Sequence, residues 1–317
     1  MIVVTGGAGF IGSNLVHALN LRGETDILVV DNLTNGQKMH NLADLNIADY
    51  MDKAEFIAKI EAPDFFKHVR AVFHQGACSA TTEWDGHYVM LNNYDYSKRL
   101  LNWCASKKIA FLYASSASVY GNGQNGFQVD RSCEHPINMY AYSKFQFDQY
   151  IRKVSSGIKS QVAGFRYFNV YGPREQHKGA MSSTIFHFNQ QIIDNGRVRL
   201  FEGCNGFADG EQQRDFVYVD DVVDVNLWFL DHPEQAGIYN VGTGAAQPFN
   251  AVAQAVIDWH GQGDIEYIPF PEHLKGSYQS YTQADISELR QVGYDKNFSD
   301  VKEGVSRYLD CLNGNVK

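Results

Sequence analysis

The chain opens with MIVVTGGAGFIGSN, a short apolar run that ends in glycines and passes straight into a helical pattern. Few folds accommodate that order. Ile2 to Val4 need a buried strand, and Gly6, Gly9 and Gly12, three apart, mark a turn too tight for side chains. Gly6 permits the turn, Gly9 lets a pyrophosphate approach the backbone, and Gly12 lets the helix lie close to the strand. The N–H groups that open the helix would face the anion. Glycine spacing alone is weak evidence. The flanking strand and helix, and an acid at the end of the next apolar run, Asp31 in DILVVDN, supply the context it needs. Asp31 would accept from a ribose 2′-hydroxyl, which favours NAD. Asn32 follows it, and Lys38 and Lys53 could neutralise the 2′-phosphate of NADP.

The alternation continues downstream. VRAVFHQGA, IAFLYASS and QVAGFRYFNV read as buried strands, with helical stretches at NNYDYSKRLLNWCASKK and YAYSKFQFDQYIRKVSSG. Apolar strands alternating with amphipathic helices predict an α/β fold: a Rossmann-like, doubly wound parallel sheet covered on both faces. Beyond Pro173 glycine-rich loops interrupt the pattern, and Cys204 to Gln213 reads as a mobile surface loop. DDVVDVNLWFLD and PFNAVAQAVIDWHG are helical. The expected division is a dinucleotide-binding domain at 1–173 and a smaller mixed α/β substrate-binding lobe at 174–317 that closes over it, with elements free to interleave.

A net charge of −9 argues against a nucleic-acid or anionic-membrane partner, since both call for a basic face. No signal-peptide pattern and no long apolar run are present, and the five cysteines lack a CxxC spacing. Reduced thiols, a cytoplasmic location and no metal site are expected.

YAYSK places Tyr140 and Lys144 four apart at the start of a helix, so both project from one face. A free phenol titrates at about 10. A neighbouring ammonium and a cationic nicotinamide favour the phenolate, which makes tyrosine a usable acid/base for interconverting alcohol and ketone. Ser116, at the end of IAFLYASS, offers a hydroxyl to hold the same oxygen, whereas Tyr113 and Ser115 are expected to be structural.

TGGAGFIG, YASSASVYG, YAYSK, FRYFNVYGPR, RDFVYVDDV and YNVGTG, in that order, span nearly the whole chain and resemble the extended short-chain dehydrogenase/reductase family. NLADLNIADYMDK, HQGACSATTEWDG, NNYDYSK, FRYFNVYGPREQHKGAM and YTQAD are similar to the branch of nucleotide-sugar epimerases that act on ADP-linked heptoses in lipopolysaccharide inner-core synthesis. The resemblance implies an isomerase that inverts C6 of ADP-D-glycero-β-D-manno-heptose with tightly bound NADP, and a homo-oligomer, a pentamer. It implies cofactor contacts from Phe10 and Ile11 in the phosphate loop and from Asp31, Asn32, Lys38 and Lys53 around the adenosine ribose. It extends them through Gln75, Gly76, Ala77, Cys78 and Ser79 to Asn92, Lys144, Val170 and Lys178. Position 75 is often acidic in relatives, and here it is glutamine. On the substrate side it implies Ser116, Asn169, Ala180, His187, Phe201, Glu202, Gly203, Cys204, Arg214 and Tyr278. Arg214 suits a diphosphate, because guanidinium matches phosphate oxygens bidentately; the competing reading pairs it with Asp215 or Asp220.

Inversion at an exocyclic carbon needs a 6-keto intermediate whose end group rotates before the hydride returns. The carbonyl oxygen then leaves the group that took its proton, so a second acid/base is required on the other side. Lys178, in VYGPREQHKGA, is the candidate; the plain alternative is a solvated loop lysine. Arg174 and His177 gain no such role. A UDP-sugar 4-epimerase or a nucleotide-sugar dehydratase of the same family is the alternative activity, although a dehydratase would want a carboxylate beside the serine, where Ser118 stands. A cofactor-sensing binding module is the alternative of another class, and such modules typically lose the tyrosine–lysine pair.

Overall fold

Four consecutive buried residues, Ile2–Thr5, form strand β1, and Ile27–Asp31 forms β2 beside it, again buried throughout. In the computed structural model, which describes residues 1–60, 62, 68–272 and 278–314, these strands belong to a seven-stranded sheet. Its order is β11-β6-β5-β4-β1-β2-β3, the other strands being β3 (Asp49–Asp52), β4 (Ala71–His74), β5 (Ala110–Ser116), β6 (Val162–Tyr167) and β11 (Gly237–Val241). β1 pairs parallel with both β2 and β4, and β5 pairs parallel with β4. The Rossmann-like α/β sheet expected from the alternation is therefore present. Side chains of opposite parity leave opposite faces of a strand. Val3, Leu28, Val30, Val72, Phe111 and Val162 share one core with Phe56 and Ile57 of α2 (Lys53–Ile60), Leu100 and Leu101 of α4 (Tyr96–Lys107), and Phe147 and Ile151 of α5 (Met139–Val154). Ile2, Val4, Ile27, Val29 and Phe73, of the other parity, are also fully buried. Burial on both faces is why these strands read as unbroken apolar runs.

The order places β1 between β2 and β4. There the direction of strand succession reverses, and the loops leaving β1 and β4 meet at the carboxyl end of the sheet.

Contacts cluster the chain into two compact units. One comprises Met1–Val119, Pro136–Arg166 and Val223–Tyr239; the other comprises Tyr120–His135, Tyr167–Val222 and Asn240–Lys317. In the second, α6 (Thr184–Asn195), α8 (Phe249–His260) and α10 (Val301–Leu312) pack around β8 (Arg197–Phe201) and β10 (Phe216–Tyr218). β8 pairs parallel with β13 (Asp264–Ile268), and β10 with β7 (Asn169–Tyr171). A short antiparallel pair joins β9 (Gln213–Arg214) to β12 (Gln247–Pro248).

Among the described residues no helix is long and apolar enough to cross a membrane, and no three His, Cys, Asp or Glu stand together as metal ligands. All five cysteines are free thiols.

Candidate active site

The phosphate loop is built on contact between backbones. Gly6 has a left-handed φ of +69°, and a Cβ there would lie 2.5 Å from the Gly76 nitrogen on the loop after β4. A Cβ on Gly12 would lie 2.2 Å from the Gly6 carbonyl oxygen. Both positions exclude any side chain on grounds of space. Gly9 caps the N-terminus of α1 (Phe10–Leu21) without a side chain, and the first turn holds no acid. That terminus keeps the character of an anion site. Phe10 is buried beneath it and Ile11 half-buried.

Asp31 ends β2 with its carboxylate turned towards this loop. Ala8 N–H donates to Oδ2 at 2.9 Å and Asn32 N–H to Oδ1 at 2.7 Å. Lys38 Nζ donates to Asp31 Oδ1 at 3.0 Å and to the Asn32 carbonyl at 3.4 Å. The acid expected at a ribose and the cation expected beside it thus stand together. Lys53 Nζ donates to Asn92 Oδ1 at 2.7 Å, joining two more of the expected cofactor residues.

The loop after β4, Gln75 to Ser79, is fixed by side chains that carry no obvious signal in the sequence. Asn93 lies in a single π-type turn, Leu91–Asp95, between α3 (Gly86–Met90) and α4. Such turns recur at functional sites. Asn93 Oδ1 accepts from Cys78 N–H at 2.7 Å, while its amide donates to the Cys78 carbonyl at 2.9 Å and to Ser143 Oγ at 2.9 Å. Ser143 in turn donates to the Tyr140 carbonyl at 2.7 Å. Gln75 Nε2 donates to Asn226 Oδ1 at 3.2 Å, so its side chain has a partner an acid in that place would not share in the same sense.

His74 lies deeper. Burial pulls its pKa down to about 3, so the ring is neutral. Ser97 Oγ spends its proton on the Asn93 carbonyl at 2.6 Å. His74 Nε2 must therefore carry the proton donated to Ser97 across 2.7 Å, and Nδ1 accepts from Thr5 Oγ1 at 2.6 Å. Thr5 itself accepts from Gly76 N–H at 3.5 Å. A continuous chain of directed hydrogen bonds links the turn after β4 to the turn that holds Asn93.

Tyr140 and Lys144 lie in the first two turns of α5, whose N-cap Asn138 accepts from Ala141 N–H. Lys144 is buried and donates to the Ala114 carbonyl at 2.7 Å. Burial pulls its pKa down to about 8, and the Asp148 carboxylate one turn on pushes it back up. Asp148 has no exposed surface and also accepts from Tyr113, Ser115 and Arg166, at 2.9, 2.9 and 3.0 Å, which accounts for those residues structurally. Ser116 Oγ accepts from both the N–H and the hydroxyl of Ser118, leaving its own proton to donate. Burial raises the Tyr140 phenol above its ordinary value, and the hydrogen bond from Ser116 lowers it again. Among the protein's own groups, burial opposes the phenolate and Ser116 favours it.

In the second unit, Arg214 is buried between the rings of Tyr278 and Phe249, its guanidinium carbon 5.0 and 5.6 Å from their centroids. Burial lowers its pKa and the Tyr278 phenol raises it. Asp215 is bound by Thr243, Gly244 and Ala284, and Asp220 by Arg307, so the expected alternative of an Arg214 salt bridge to either aspartate is not what forms. Phe249, absent from the sequence expectation, completes this arginine box. Phe201 meets Tyr278 edge-on at 6.4 Å, and Cys204 Sγ lies 4.0 Å from Ser280 Oγ. The stretch from Cys204 to Gln213, expected to be mobile, is tied at several points. Gly203 N–H donates to Asp209, Phe207 N–H to the Cys204 carbonyl, Gly210 N–H to the Phe201 carbonyl, and Gln212 Nε2 to the Glu202 carbonyl. Asn169 donates its N–H to the Asp215 carbonyl and accepts from Thr282, while Val170 is half-buried beside it in β7. Lys178 is 27% exposed and pairs with Glu175 across 3.6 Å. Ala180 is exposed two residues on, and His187 is half-buried in α6.

Residues 2–242 match the NAD dependent epimerase/dehydratase family. The chain is 62% identical over 312 residues to an ADP-L-glycero-D-manno-heptose-6-epimerase of Alkalilimnicola ehrlichii, covering 98% of this chain and 97% of that one. Its structure is similar to the crystal structure of ADP-L-glycero-D-manno-heptose-6-epimerase from Helicobacter pylori, with TM-score 0.85, 31% identity, and 98% and 96% of the two chains covered. UDP-glucose 4-epimerase of Thermus thermophilus, in complex with NAD, aligns with TM-score 0.80 at 26% identity over 99% of each chain.

Proposed function

Because the chain belongs to the NAD dependent epimerase/dehydratase family, we propose that it interconverts ADP-D-glycero-β-D-manno-heptose and its L-glycero 6-epimer. The reading rests on 62% identity across almost the whole of a relative that bears this activity in its name, together with a Ser116–Tyr140–Lys144 group of the right chemistry. A bound nicotinamide cofactor supplies the acceptor and donor of hydride. The unit that carries the phosphate loop is the dinucleotide-binding part, and the unit that carries Arg214 is the substrate-binding part. The cradle fits the cofactor: Gly6, Gly9 and Gly12 admit a pyrophosphate, and Asp31 with Asn32 receives the ribose. Lys38, already drawn to that carboxylate, and Lys53 favour NADP over NAD by charge.

Ser116 holds the C6 oxygen, and Tyr140 takes its proton as C6 becomes a ketone. Lys144 charges the pocket in which the phenolate forms. After rotation about C5–C6 the oxygen meets the Lys178 ammonium, which gives up a proton as the alcohol re-forms; solvent then takes the proton from Tyr140 and restores one to Lys178. Arg214 grips the diphosphate so that the sugar end turns while the nucleotide stays fixed. Asn169, Ala180, His187, Phe201 to Cys204 and Tyr278 line the sugar nucleotide, and Gln75 to Ser79, Asn92 and Val170 the cofactor. Ser118, a hydroxyl bonded to Ser116, stands where a dehydratase would need a carboxylate. The enzyme works in the cytoplasm as a homo-oligomer, a pentamer by its resemblance to the ADP-heptose branch. Turnover of ADP-heptose set against UDP-galactose tests the assignment; turnover of UDP-galactose alone would replace it with 4-epimerisation.

A further inference from the structure

Glu175 is a carboxylate without exposed surface, between half-buried Arg174 and exposed Gln176. The backbone before it is unusual. Arg174 takes a left-handed φ of 72°, a conformation that non-glycine residues hold only when their surroundings impose it. Glu175 follows directly, and its side chain is surrounded by donors. Ser183 N–H donates to Oε2 at 2.7 Å and Ser183 Oγ–H to Oε1 at 2.5 Å. Ser183 is itself the N-cap of α6, accepting from Phe186 N–H at 3.2 Å, so the carboxylate is fastened to the positive end of a twelve-residue helix. Its backbone carbonyl accepts from Lys178 N–H at 2.9 Å and from Ser182 Oγ at 3.1 Å.

The helix end and the two donated hydrogen bonds offset part of this buried charge, and a cation offsets more. Lys178 supplies one, with Nζ 3.6 Å from Oε2. The backbone then breaks helical geometry at Gly179, φ 54° and ψ −123°, a combination closed to side-chain-bearing residues. The lysine therefore sits between a rigid anchor on one side and a glycine kink on the other. A cap alone would not call for this glutamate, because the Ser183 hydroxyl already caps α6.

We propose that Glu175 is the positioning residue of Lys178: clamped to the start of α6, its carboxylate holds the ammonium where it can exchange a proton with the substrate oxygen. The inference deepens the proposed function and rests on Lys178 being the second acid/base.

A double-mutant cycle in the full-length, cofactor-loaded enzyme tests it, with kcat and KM for ADP-heptose read separately. Glu175→Gln lowers kcat about 10- to 100-fold with KM within about twofold, as loss of alignment does. In a Lys178→Met background the same change produces no further loss, because residues that act as a unit are not additive. Independent, multiplying losses, or a Glu175→Gln enzyme with wild-type kcat, would overturn the role of Glu175. A Lys178→Met enzyme with full activity would instead overturn the second-base reading, and the positioning role with it. Thermal melting of each variant is recorded alongside. If Glu175→Gln does not fold, Glu175→Asp, which keeps the charge on an arm one methylene shorter, carries the same cycle, with the same non-additive loss expected and wild-type kcat overturning the proposal.

Discussion

Two groups in this molecule are assigned proton transfer, and they are held in contrasting ways. Tyr140 rises from the first turn of a sixteen-residue helix, with Lys144 and Asp148 buried beneath it and Asn93 binding its backbone through Ser143. Lys178 lies in a six-residue 3-10 segment, Gln176–Met181, partly exposed, and is steered by a carboxylate three residues before it. The first arrangement sets titration through burial: Tyr140 is raised and Lys144 is lowered to about 8. The second sets direction through one ion pair. Rigid support suits a group that meets the substrate oxygen in its starting position. A short, pinned loop suits a group that meets it only after rotation.

Replacing each group in turn would sharpen that contrast most. Tyr140→Phe removes the proton acceptor on the rigid side and is expected to lower kcat about a thousandfold with KM little changed, within the range general acid–base catalysis supplies. Steady-state epimerisation read by separation of the two epimers checks it. Lys178→Met is expected to cost about a hundredfold on the same assay. Equal rates for wild type and Lys178→Met would break the comparison, leaving one acid/base for both oxygen positions.

Arg214→Ala addresses anchoring in isolation. Losing a charge-assisted pair to phosphate costs about 2 kcal/mol, so KM should rise about 30-fold with kcat changed far less. A matching fall in kcat would mean that Arg214 acts on the reacting end. The smallest effect expected is on pH dependence. Burial holds Lys144 at about 8 against the upward push of Asp148. Its charge is present below that pH and lost as pH rises through it, so kcat/KM should fall on the alkaline side. Asp148→Asn removes the upward push and should move that limb to lower pH; a limb that stays in place would show that Lys144 does not set it.

The sheet was legible because its strands are buried on both faces, and the glycine loop because its spacing reflects backbone contacts at Gly6 and Gly12. β3 was not anticipated. It is an edge strand reading DYMD, with Met51 alone buried. α10 was hidden by Gly304 in its first turn, where a Cβ would fall 2.0 Å from the Tyr171 hydroxyl. The glycine that weakens the helical signal is there to admit a tyrosine. Among the candidate site residues, Tyr140, Lys144 and Ser116 follow a spacing rule, whereas Asn93, Asp148 and Phe249 act through hydrogen bonds, an ion pair and a ring contact with residues distant in sequence. Glu175 looked like any loop acid, because its burial depends on the turn at Arg174, which no residue pattern announces.

The central claim, inversion at C6 by removal and return of the same hydride, can be tested directly in deuterated water. ADP-D-glycero-β-D-manno-heptose is incubated with the purified protein in D2O, and the product is examined at C6 by NMR and mass spectrometry. The account predicts interconversion of the two 6-epimers with protium retained at C6. Deuterium at C6, or no turnover of this substrate, would contradict it.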